Sequence, residues 1–422
     1  MTSLPAAPAT SRTRLSRLAD AFLVGLRDGG WVRADRLSVY STALLILEAL
    51  ALVALIATSR HGLDAMGRPL GADFSQVWVA GREALSGQPD APFDLARHIA
   101  EQVKAFGATN AVYSWSYPPI FLLPAAGLAA LPYPLALATW QILTLALYLA
   151  VVLRAARGTG IEPWRIAVAA LAFPAVFVNL THGQNGLLTA GFLGLGFLAL
   201  DKRPWLAGLC FGLLAFKPQF ALVLPIALLV EQRWRTILGA AATALALSLA
   251  SLAAFGASPW TAFFATLKTT RQMLMDQGSI VGFEKMQSVY AAVRLVGGGS
   301  TLAYAIEAVV AAATLASLIW LLRSEADRRV KSAATIVATL LVAPYSLDYD
   351  LTVLAPAIAL VASAGVERGL RPFEKSALAA GFFAPLVARP VATLTSIPIG
   401  VVILALLYLS ILPRGLERRA PL

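Results

Sequence analysis

Long apolar stretches separated by short polar connections fill most of the chain. An α-helix crosses a bilayer with about 20 apolar residues, and shorter helices suffice where protein surrounds them. On this measure the pattern predicts an all-α, polytopic transmembrane helical bundle with about twelve spans, near residues 38–58, 133–153, 164–180, 186–200, 204–216, 218–230, 235–255, 302–322, 332–346, 350–366, 376–388 and 396–412. The stretch 118–131 is short and bounded by prolines, so it is interpreted as a re-entrant or tilted helix, or else as a thirteenth crossing.

The same pattern divides the chain into three parts. Residues 1–37 are polar and carry several arginines, residues 38–412 form the transmembrane domain, and residues 413–422 form a short tail. Two connections within the transmembrane domain are long, at 59–117 and 256–301. The pattern shows no soluble domain of any size, so any chemistry must be built from loops and helix ends.

The first long loop has apolar residues at helical spacing. Its segments FSQVWVAGREAL and FDLARHIAEQVKAF place apolar residues at i, i+3 and i+4, and SGQPDAP separates them. This spacing predicts two short amphipathic helices that lie at the membrane surface.

Composition supports the membrane assignment. The chain is 58% apolar and 14% charged, whereas soluble proteins carry about 25% charged residues. These fractions exclude a soluble enzyme, a disordered chain and a fibrous repeat. The single cysteine, Cys210, excludes an intrachain disulfide and a cysteine metal cluster. The scattered His61, His98 and His182 give no zinc spacing, so no cofactor is predicted, although a divalent metal stays open.

The net charge of +11 has a topological explanation. In a soluble protein such an excess would suggest a nucleic-acid partner. Here the basic residues concentrate in short connections that alternate onto the same side as residues 1–37, such as DKRP and RSEADRRVK. By the positive-inside rule, both termini are predicted to lie in the cytoplasm, on the inner side of the plasma membrane. A nucleic-acid partner is not predicted.

This orientation places a set of polar residues at the outer face. Ionisable groups in or beside a span are costly, so these residues are functional candidates. They are Asp73, Tyr117, His182, Gln184, Asn185, Lys217, Gln219, Asp348, Asp350 and Arg389. A channel or carrier is expected to place such groups near the midplane. A cluster at one interface instead suits a reaction between a lipid-borne substrate and an acceptor outside.

Several candidates have competing structural explanations. Asp73 begins an amphipathic helix, where a carboxylate caps backbone N–H groups. The prolines after Tyr117 suit a helix start, and the polar turn 182–185 suits a tight connection between spans. Lys217 and Arg389 are each either a cation that snorkels to the interface or a contact for an anionic phosphate.

Four motifs together resemble glycosyltransferase family 87, of the GT-C superfamily. They are Asp73 in DFSQVWVAGREALSGQ, Tyr117-Pro118-Pro119, Gly183-Gln184-Asn185 and the Lys217-Pro218 break. With the span pattern, the resemblance covers roughly residues 38–412. It implies a GT-C-like fold and an enzyme of envelope glycolipid biosynthesis. Such an enzyme transfers a hexose or pentose, with mannose first, from a polyprenyl-phosphate sugar to a lipid or glycan acceptor on the extracytoplasmic face.

The resemblance also implies roles for the candidate residues. Asp73 corresponds to the acidic residue in the first outer loop that serves as general base, and a single displacement inverts the anomeric carbon. Phe74 follows it where some GT-C sequences have a second acid, which puts a metal role in doubt. Lys217 and Arg389 are expected to bind the donor phosphate, and the remaining candidates to contact substrate. The competing functions are a transporter or flippase of a lipid-linked sugar or other anion, and a structural membrane subunit.

Overall fold

The computed structural model describes residues 14–107, 113–278 and 281–416, and these ranges are helical with no strand. Parts of the predicted N-terminal segment, of both long loops and of the C-terminal tail lie outside the described residues. The helices are α1 (Arg14–Asp28), α2 (Ala34–Ala57), α3 (Phe74–Leu85), α4 (Leu95–Phe106), α5 (Leu122–Ala129), α6 (Tyr133–Ala155), α7 (Pro163–Leu171), α8 (Pro174–His182), α9 (Gly186–Ala199), α10 (Pro204–Leu213), α11 (Val223–Val230), α12 (Trp234–Phe255), α13 (Ser258–Arg271), α14 (Val289–Leu295), α15 (Ser300–Arg323), α16 (Arg328–Val342), α17 (Leu354–Arg368), α18 (Glu374–Thr395) and α19 (Ile399–Ile411).

Proline and glycine set many of these boundaries. Pro163, Pro174 and Pro204 stand at the first position of α7, α8 and α10, where the missing N–H has no intrahelical partner to lose. Gly107 and Gly183 end α4 and α8 with positive φ angles of 79° and 65°, a conformation that glycine adopts at little cost.

Seven helical segments in the described part of the chain are long and apolar enough to cross a membrane, or eight if the bent pair α7 and α8 counts as one. The seven include α2, α6, α12, α15, α18, and the stretches that contain α17 and α19. The 55° bend between α7 and α8 divides the predicted span 164–180. Other predicted spans correspond to short helices such as α9 and α10. The structure therefore supports a multi-pass helical protein without fixing twelve as the number of spans.

The stretch 118–131 forms a 3-10 turn, Pro119–Phe121, followed by α5. Helix α3 packs closely on α5. At the crossing, a Cβ on Gly81 would lie 2.1 Å from the carbonyl oxygen of Ala125, so the contact requires glycine. Although α3 was expected at the membrane surface, most of its side chains are buried within the protein.

Helices α3 and α4 occupy the two amphipathic stretches of the first long loop. The buried His98 ring lies 2.8 Å from the Glu83 carboxylate and joins the two helices. Buried polar groups are tolerated when they find such a partner. The pair therefore ties α3 to α4.

The connections predicted to lie inside the cell meet at one end of the bundle. Asp201 pairs with Arg233 at 2.7 Å, and Glu231 pairs with Arg328 at 2.6 Å. Arg329 and Arg368 pair with Asp327, and Arg329 also reaches Glu367. We refer to the end that carries Asp201, Glu231, Asp327 and Glu367 as the ion-pair end.

The opposite end of the same helices carries the candidate residues. Helix α9 runs from Asn185 to the ion-pair end at Asp201, and α17 runs from the segment of Asp350 to Glu367. Helix α16 runs in the opposite sense, from Asp327 towards Tyr345. The two sets of polar groups therefore lie at opposite ends of the same three helices. We refer to the end with Asn185 and Asp350 as the site end.

Candidate active site

Three segments that are distant in sequence meet at the site end. We refer to Asp73, Tyr117, Gln184 and Asn185 as the polar cluster, because hydrogen bonds join all four. Gln184 donates from Nε2 to Asp73 Oδ2 at 2.8 Å. Asn185 donates from Nδ2 to the Tyr117 hydroxyl at 2.8 Å. Four of the predicted site residues are therefore brought together.

Asp73 is half-buried at the start of α3. Its carboxylate makes no cap hydrogen bond to the described backbone of that helix. It is turned instead towards the side chain of Gln184, which lies on the turn between α8 and α9. Helix capping therefore does not account for this aspartate.

Tyr117 supplies a hydroxyl between the two amides of the cluster. It accepts from Asn185 and donates to Gln184 Oε1 over 3.4 Å. Burial raises the pKa of Tyr117 well above its usual range, and the negative charges of Asp73 and Asp350 raise it further. The phenol therefore stays protonated and acts as a hydrogen-bond donor. The prolines that follow it also begin a 3-10 turn, so the structural explanation for the Tyr-Pro-Pro motif holds beside its place in the cluster.

The turn that carries Gln184 and Asn185 is tightly fixed. Trp140 donates from its indole nitrogen to the Gly183 carbonyl at 3.1 Å. A Cβ on Gly183 would lie 2.5 Å from the Cβ of Phe74, so any other residue would displace α3. Asn185 Oδ1 is buried and accepts no hydrogen bond from the described residues. This oxygen is therefore an acceptor that the described residues leave without a donor.

Lys217 and Asp350 form a buried ion pair beside the cluster. The side chains are 3% and 1% exposed, and Lys217 Nζ donates to Asp350 Oδ1. The second oxygen of Asp350 accepts from the backbone N–H of Leu347 at 3.0 Å. Lys217 Nζ also lies 5.1 Å from the centre of the Tyr349 ring, a distance typical of a cation–π contact.

This ion pair changes the expected role of Lys217. It lies at the break between α10 and α11, as predicted, but an aspartate of this chain already balances its charge. Gln219, two residues later, is half-buried at the start of the 3-10 turn Phe220–Leu222. It makes no hydrogen bond to any other candidate residue among those the structure describes.

Asp348 and Arg389 form a second, more open pair. Arg389 lies on α18, and its guanidinium is 3.6 Å from Asp348 Oδ2. The positive charge of Lys285 and the ring of His182 also lie within electrostatic range of Asp348. His182 donates from Nδ1 to the Val178 carbonyl at 2.9 Å. Arg389 is 39% exposed, so the protein encloses its side chain only in part.

Asn179 ties the Asp348–Asp350 segment to the cluster. Its amide nitrogen donates to the Tyr349 carbonyl at 3.0 Å and to the Thr352 hydroxyl at 2.6 Å. A Cβ on Gly186 would lie 2.4 Å from the same Tyr349 carbonyl. The turn at the start of α9 and the segment before α17 therefore pack directly against each other.

Two further residues at this end were not among the predicted site residues. Tyr345 lies in the connection before Asp348, and the negative charges of Asp350, Asp73 and Asp348 act on its hydroxyl. Burial raises the pKa of Tyr345 above its usual range, and those charges add to the effect. Lys285 belongs to the second long loop. Lys285 comes close to Asp348 only in the folded chain, and the residues around Lys285 in the sequence do not indicate this proximity.

A comparison with protein families identifies the chain. The model of glycosyltransferase family 87 matches residues 115–344, slightly more than half of the sequence. The chain belongs to glycosyltransferase family 87. Family 87 proteins are membrane glycosyltransferases, and this membership is consistent with the GT-C superfamily. No curated protein and no solved structure matches the chain significantly.

The family match covers part of the site. It includes Tyr117, the Gln184–Asn185 turn and Lys217. Asp73 precedes it, and Asp348, Asp350 and Arg389 follow it. The geometry of this family 87 chain, rather than the match, is what joins Asp73 to the matched residues. Among the described residues, no three His, Cys, Asp or Glu side chains are placed to share a metal ion.

Proposed function

We propose that this family 87 protein transfers a sugar, with mannose the first candidate, from a polyprenyl-phosphate donor to a lipid or glycan acceptor. The reaction takes place at the extracytoplasmic face and inverts the anomeric carbon. The observation that carries this proposal is the half-buried Asp73 carboxylate, which Gln184 holds at the same end of the bundle as the partly exposed guanidinium of Arg389. A base and a phosphate contact at one membrane surface are what such a transfer needs.

Asp73 is proposed as the general base. The acceptor hydroxyl must lose its proton as its oxygen attacks the anomeric carbon, and a positioned carboxylate takes that proton. Gln184 binds Oδ2, so we assign Oδ1 to the acceptor hydroxyl. The hydrogen bond from Gln184 fixes the orientation of the carboxylate, which is the condition for efficient proton transfer.

The donor phosphate is assigned to Arg389 and Lys285. The C–O bond between the sugar and the phosphate breaks, and the phosphate leaves with the bonding electrons. Fixed positive charges stabilise a leaving group of this kind. Arg389 and Lys285 place two cations near a single carboxylate, Asp348. Lys217 is already balanced by Asp350, so we now assign it to positioning the Asp348–Asp350 segment rather than to the phosphate itself.

The sugar is assigned to the polar groups between these two centres. We assign three groups to contacts with the sugar hydroxyls: Asn185 Oδ1, the Tyr117 hydroxyl, whose bond to Gln184 is long at 3.4 Å, and the Nε2 side of the His182 ring. Gln219, half-buried two residues after Lys217, is a further candidate for such a contact. The polyprenyl chain would run between apolar helices, which explains why the reaction needs a site at the membrane surface.

The distribution of charge supports the proposed orientation. The ion-pair end gathers four of the connections that are rich in basic residues, and Asp73 lies at the opposite end of the same helices. Under the positive-inside rule, this arrangement supports a topology with both termini in the cytoplasm and the site on the extracytoplasmic side of the inner membrane.

A reconstituted transfer assay tests the proposed function. The purified chain is placed in vesicles with a polyprenyl-phosphate mannose donor, radiolabelled in the sugar, and with a membrane lipid extract that supplies the acceptor. The proposal expects label to move into lipid products that survive mild acid, which cleaves the donor. Transbilayer movement of intact donor without product would contradict the proposal in favour of a flippase. If the vesicles show neither labelled product nor transbilayer movement of the donor, the proposal is contradicted and a structural role is favoured.

A further inference from the structure

A second cavity lies at the ion-pair end of the bundle, away from the polar cluster. Its volume is about 470 Å3, and it opens between α2 and α18. Helix α2 packs mainly against α7, and α1 packs against α18, so the space between α2 and α18 stays unfilled. We refer to this space as the α2–α18 cleft. Its inner wall is apolar and includes Phe173, Ile358, Ala359, Ala379, Phe382 and Phe383.

The mouth of the cleft is basic. Arg36, Arg165 and Lys375 line it from three different helices, together with one acid, Glu162. None of the three cations forms an ion pair with a described carboxylate, in contrast to the arginines of the ion-pair end. Three cations against one carboxylate leave a net positive rim over an apolar interior.

Two tryptophans indicate the depth of this rim in the membrane. Trp31 is 41% exposed and donates to the Ser376 hydroxyl, and Trp164 is 58% exposed. The Arg165 guanidinium lies 5.2 Å from the centre of the Trp164 ring. Exposed tryptophans concentrate at the level of lipid headgroups. The three cations are therefore at the depth where phosphate groups of the bilayer lie.

A polar atom lies deeper in the cleft. Ser41 lines it on α2, is 2% exposed, and its hydroxyl has no hydrogen-bond partner among the described residues. It lies five residues after Arg36, or about 7.5 Å further along the helix. An unpaired buried hydroxyl is costly. The ester groups of a phospholipid lie at a similar depth below its phosphate.

We propose that the α2–α18 cleft binds one anionic phospholipid of the leaflet at the ion-pair end. The phosphate lies among Arg36, Arg165 and Lys375, an ester oxygen accepts from Ser41, and an acyl chain packs against Phe173 and the phenylalanines of α18. Basic pockets between transmembrane helices bind anionic headgroups in this way.

The dimensions of the cleft suit an acyl chain. From Lys375 at the rim to Phe383 at the base, α18 advances eight residues, which is about 12 Å. An anionic headgroup fits better than a zwitterionic one, because a choline would bring a fourth positive charge to the rim. The bound lipid would also give α2 a packing partner, since only 6% of its apolar window is buried by protein.

Lipid retention by the full-length protein tests this proposal. The protein is delipidated in detergent, incubated with phosphatidylglycerol or phosphatidylcholine of identical acyl chains, and analysed by native mass spectrometry. The test variant is Arg36→Gln/Arg165→Gln/Lys375→Gln. The matched control is Lys202→Gln/Arg203→Gln/Arg235→Gln, which removes the same charge from exposed positions at the same end. A third variant, Ala379→Trp, fills the apolar part of the cleft.

The wild type and the control are expected to retain phosphatidylglycerol at least tenfold better than phosphatidylcholine. The rim variant is expected to lose that preference, and Ala379→Trp is expected to lose retention of both lipids. Equal retention of the two lipids by the wild type, or unchanged preference in the rim variant, would overturn the proposal. A lipid-free dimer that persists when lipid is added would also overturn the proposal, because a second copy of the chain would then occupy the cleft. None of these outcomes depends on sugar transfer.

Discussion

The side chain of Gln184 donates a hydrogen bond to the carboxylate of Asp73 across 111 positions of sequence. This bond joins the turn between α8 and α9 to the first residue before α3. It orients the residue that we assign as base, and it connects the region of the family match to an aspartate that the match does not reach.

Loss of that bond should slow transfer without unfolding the protein. We expect Gln184→Ala to lower kcat at least tenfold, because an unrestrained carboxylate samples unproductive orientations. The control is Gln272→Ala, an exposed glutamine of the second long loop. Both variants are compared by initial rates and by thermal unfolding in detergent. Equal rates for the two variants would contradict a positioning role for Gln184.

The Lys217–Asp350 pair should behave as a buried ion pair. Removal of one partner leaves an uncompensated buried charge, which costs about 3–5 kcal/mol. We therefore expect Lys217→Met to be strongly destabilised, and Lys217→Met/Asp350→Asn to recover much of the loss. Thermal unfolding in detergent measures both effects.

An exposed ion pair serves as the control for the variants of Lys217 and Asp350. Lys104 and Glu101 pair on α4, with Lys104 71% exposed, and surface pairs of this kind contribute at most about 1 kcal/mol. Lys104→Met should leave the unfolding temperature nearly unchanged. If the double variant at Lys217 and Asp350 is no more stable than Lys217→Met, the pair is not the source of the stabilisation.

The cations near Asp348 should determine donor affinity. We expect Arg389→Gln and Lys285→Gln each to raise the KM for the polyprenyl-phosphate donor about tenfold and to lower kcat, because each removes a charge from the leaving phosphate. Lys268→Gln, on the exposed surface of α13, is the matched control. An unchanged donor KM in both test variants would place the phosphate elsewhere.

The contact between α3 and α5 should require glycine. Gly81→Ala places a Cβ in steric clash with the Ala125 carbonyl, so the two helices must move apart. Overpacking of this kind lowers the free energy of unfolding by about 1–3 kcal/mol. We expect a lower unfolding temperature and reduced transfer, because α3 begins at Asp73. Gly127→Ala on α5, where a Cβ meets nothing within 4 Å, should be neutral or slightly stabilising. Equal stability of the two variants would contradict this account of α3.

Hydropathy located the long helices, but it does not fix the number of spans. The segments of α2, α6, α12 and α15 are apolar and long, and the structure forms each as one helix. Helices α9 and α10 are as apolar but short, and α9 is largely buried among other helices. Apolar composition alone does not separate a short span from a buried core helix. The number of spans therefore could not be predicted from the pattern.

The candidate site was predictable only residue by residue. Asp73, Tyr117 and Gln184 stood out because polar groups are costly in an apolar chain, and hydrogen bonds do bring them together. The pairing of Lys217 with Asp350 spans 133 positions, and no local pattern encodes it. For that reason a lysine expected to bind phosphate was not recognised as part of an internal ion pair.

The most direct test of the account is the transfer rate of Asp73→Asn. This variant keeps the size of the side chain and an oxygen that accepts from Gln184, but its amide cannot take a proton. Asp90→Asn, in the same loop and paired with Arg97 at the surface, is the control. With both proteins folded and loaded with a radiolabelled polyprenyl-phosphate sugar, we expect Asp73→Asn to lose at least 100-fold in kcat and Asp90→Asn to match the wild type. Wild-type transfer by Asp73→Asn would contradict its assignment as the general base.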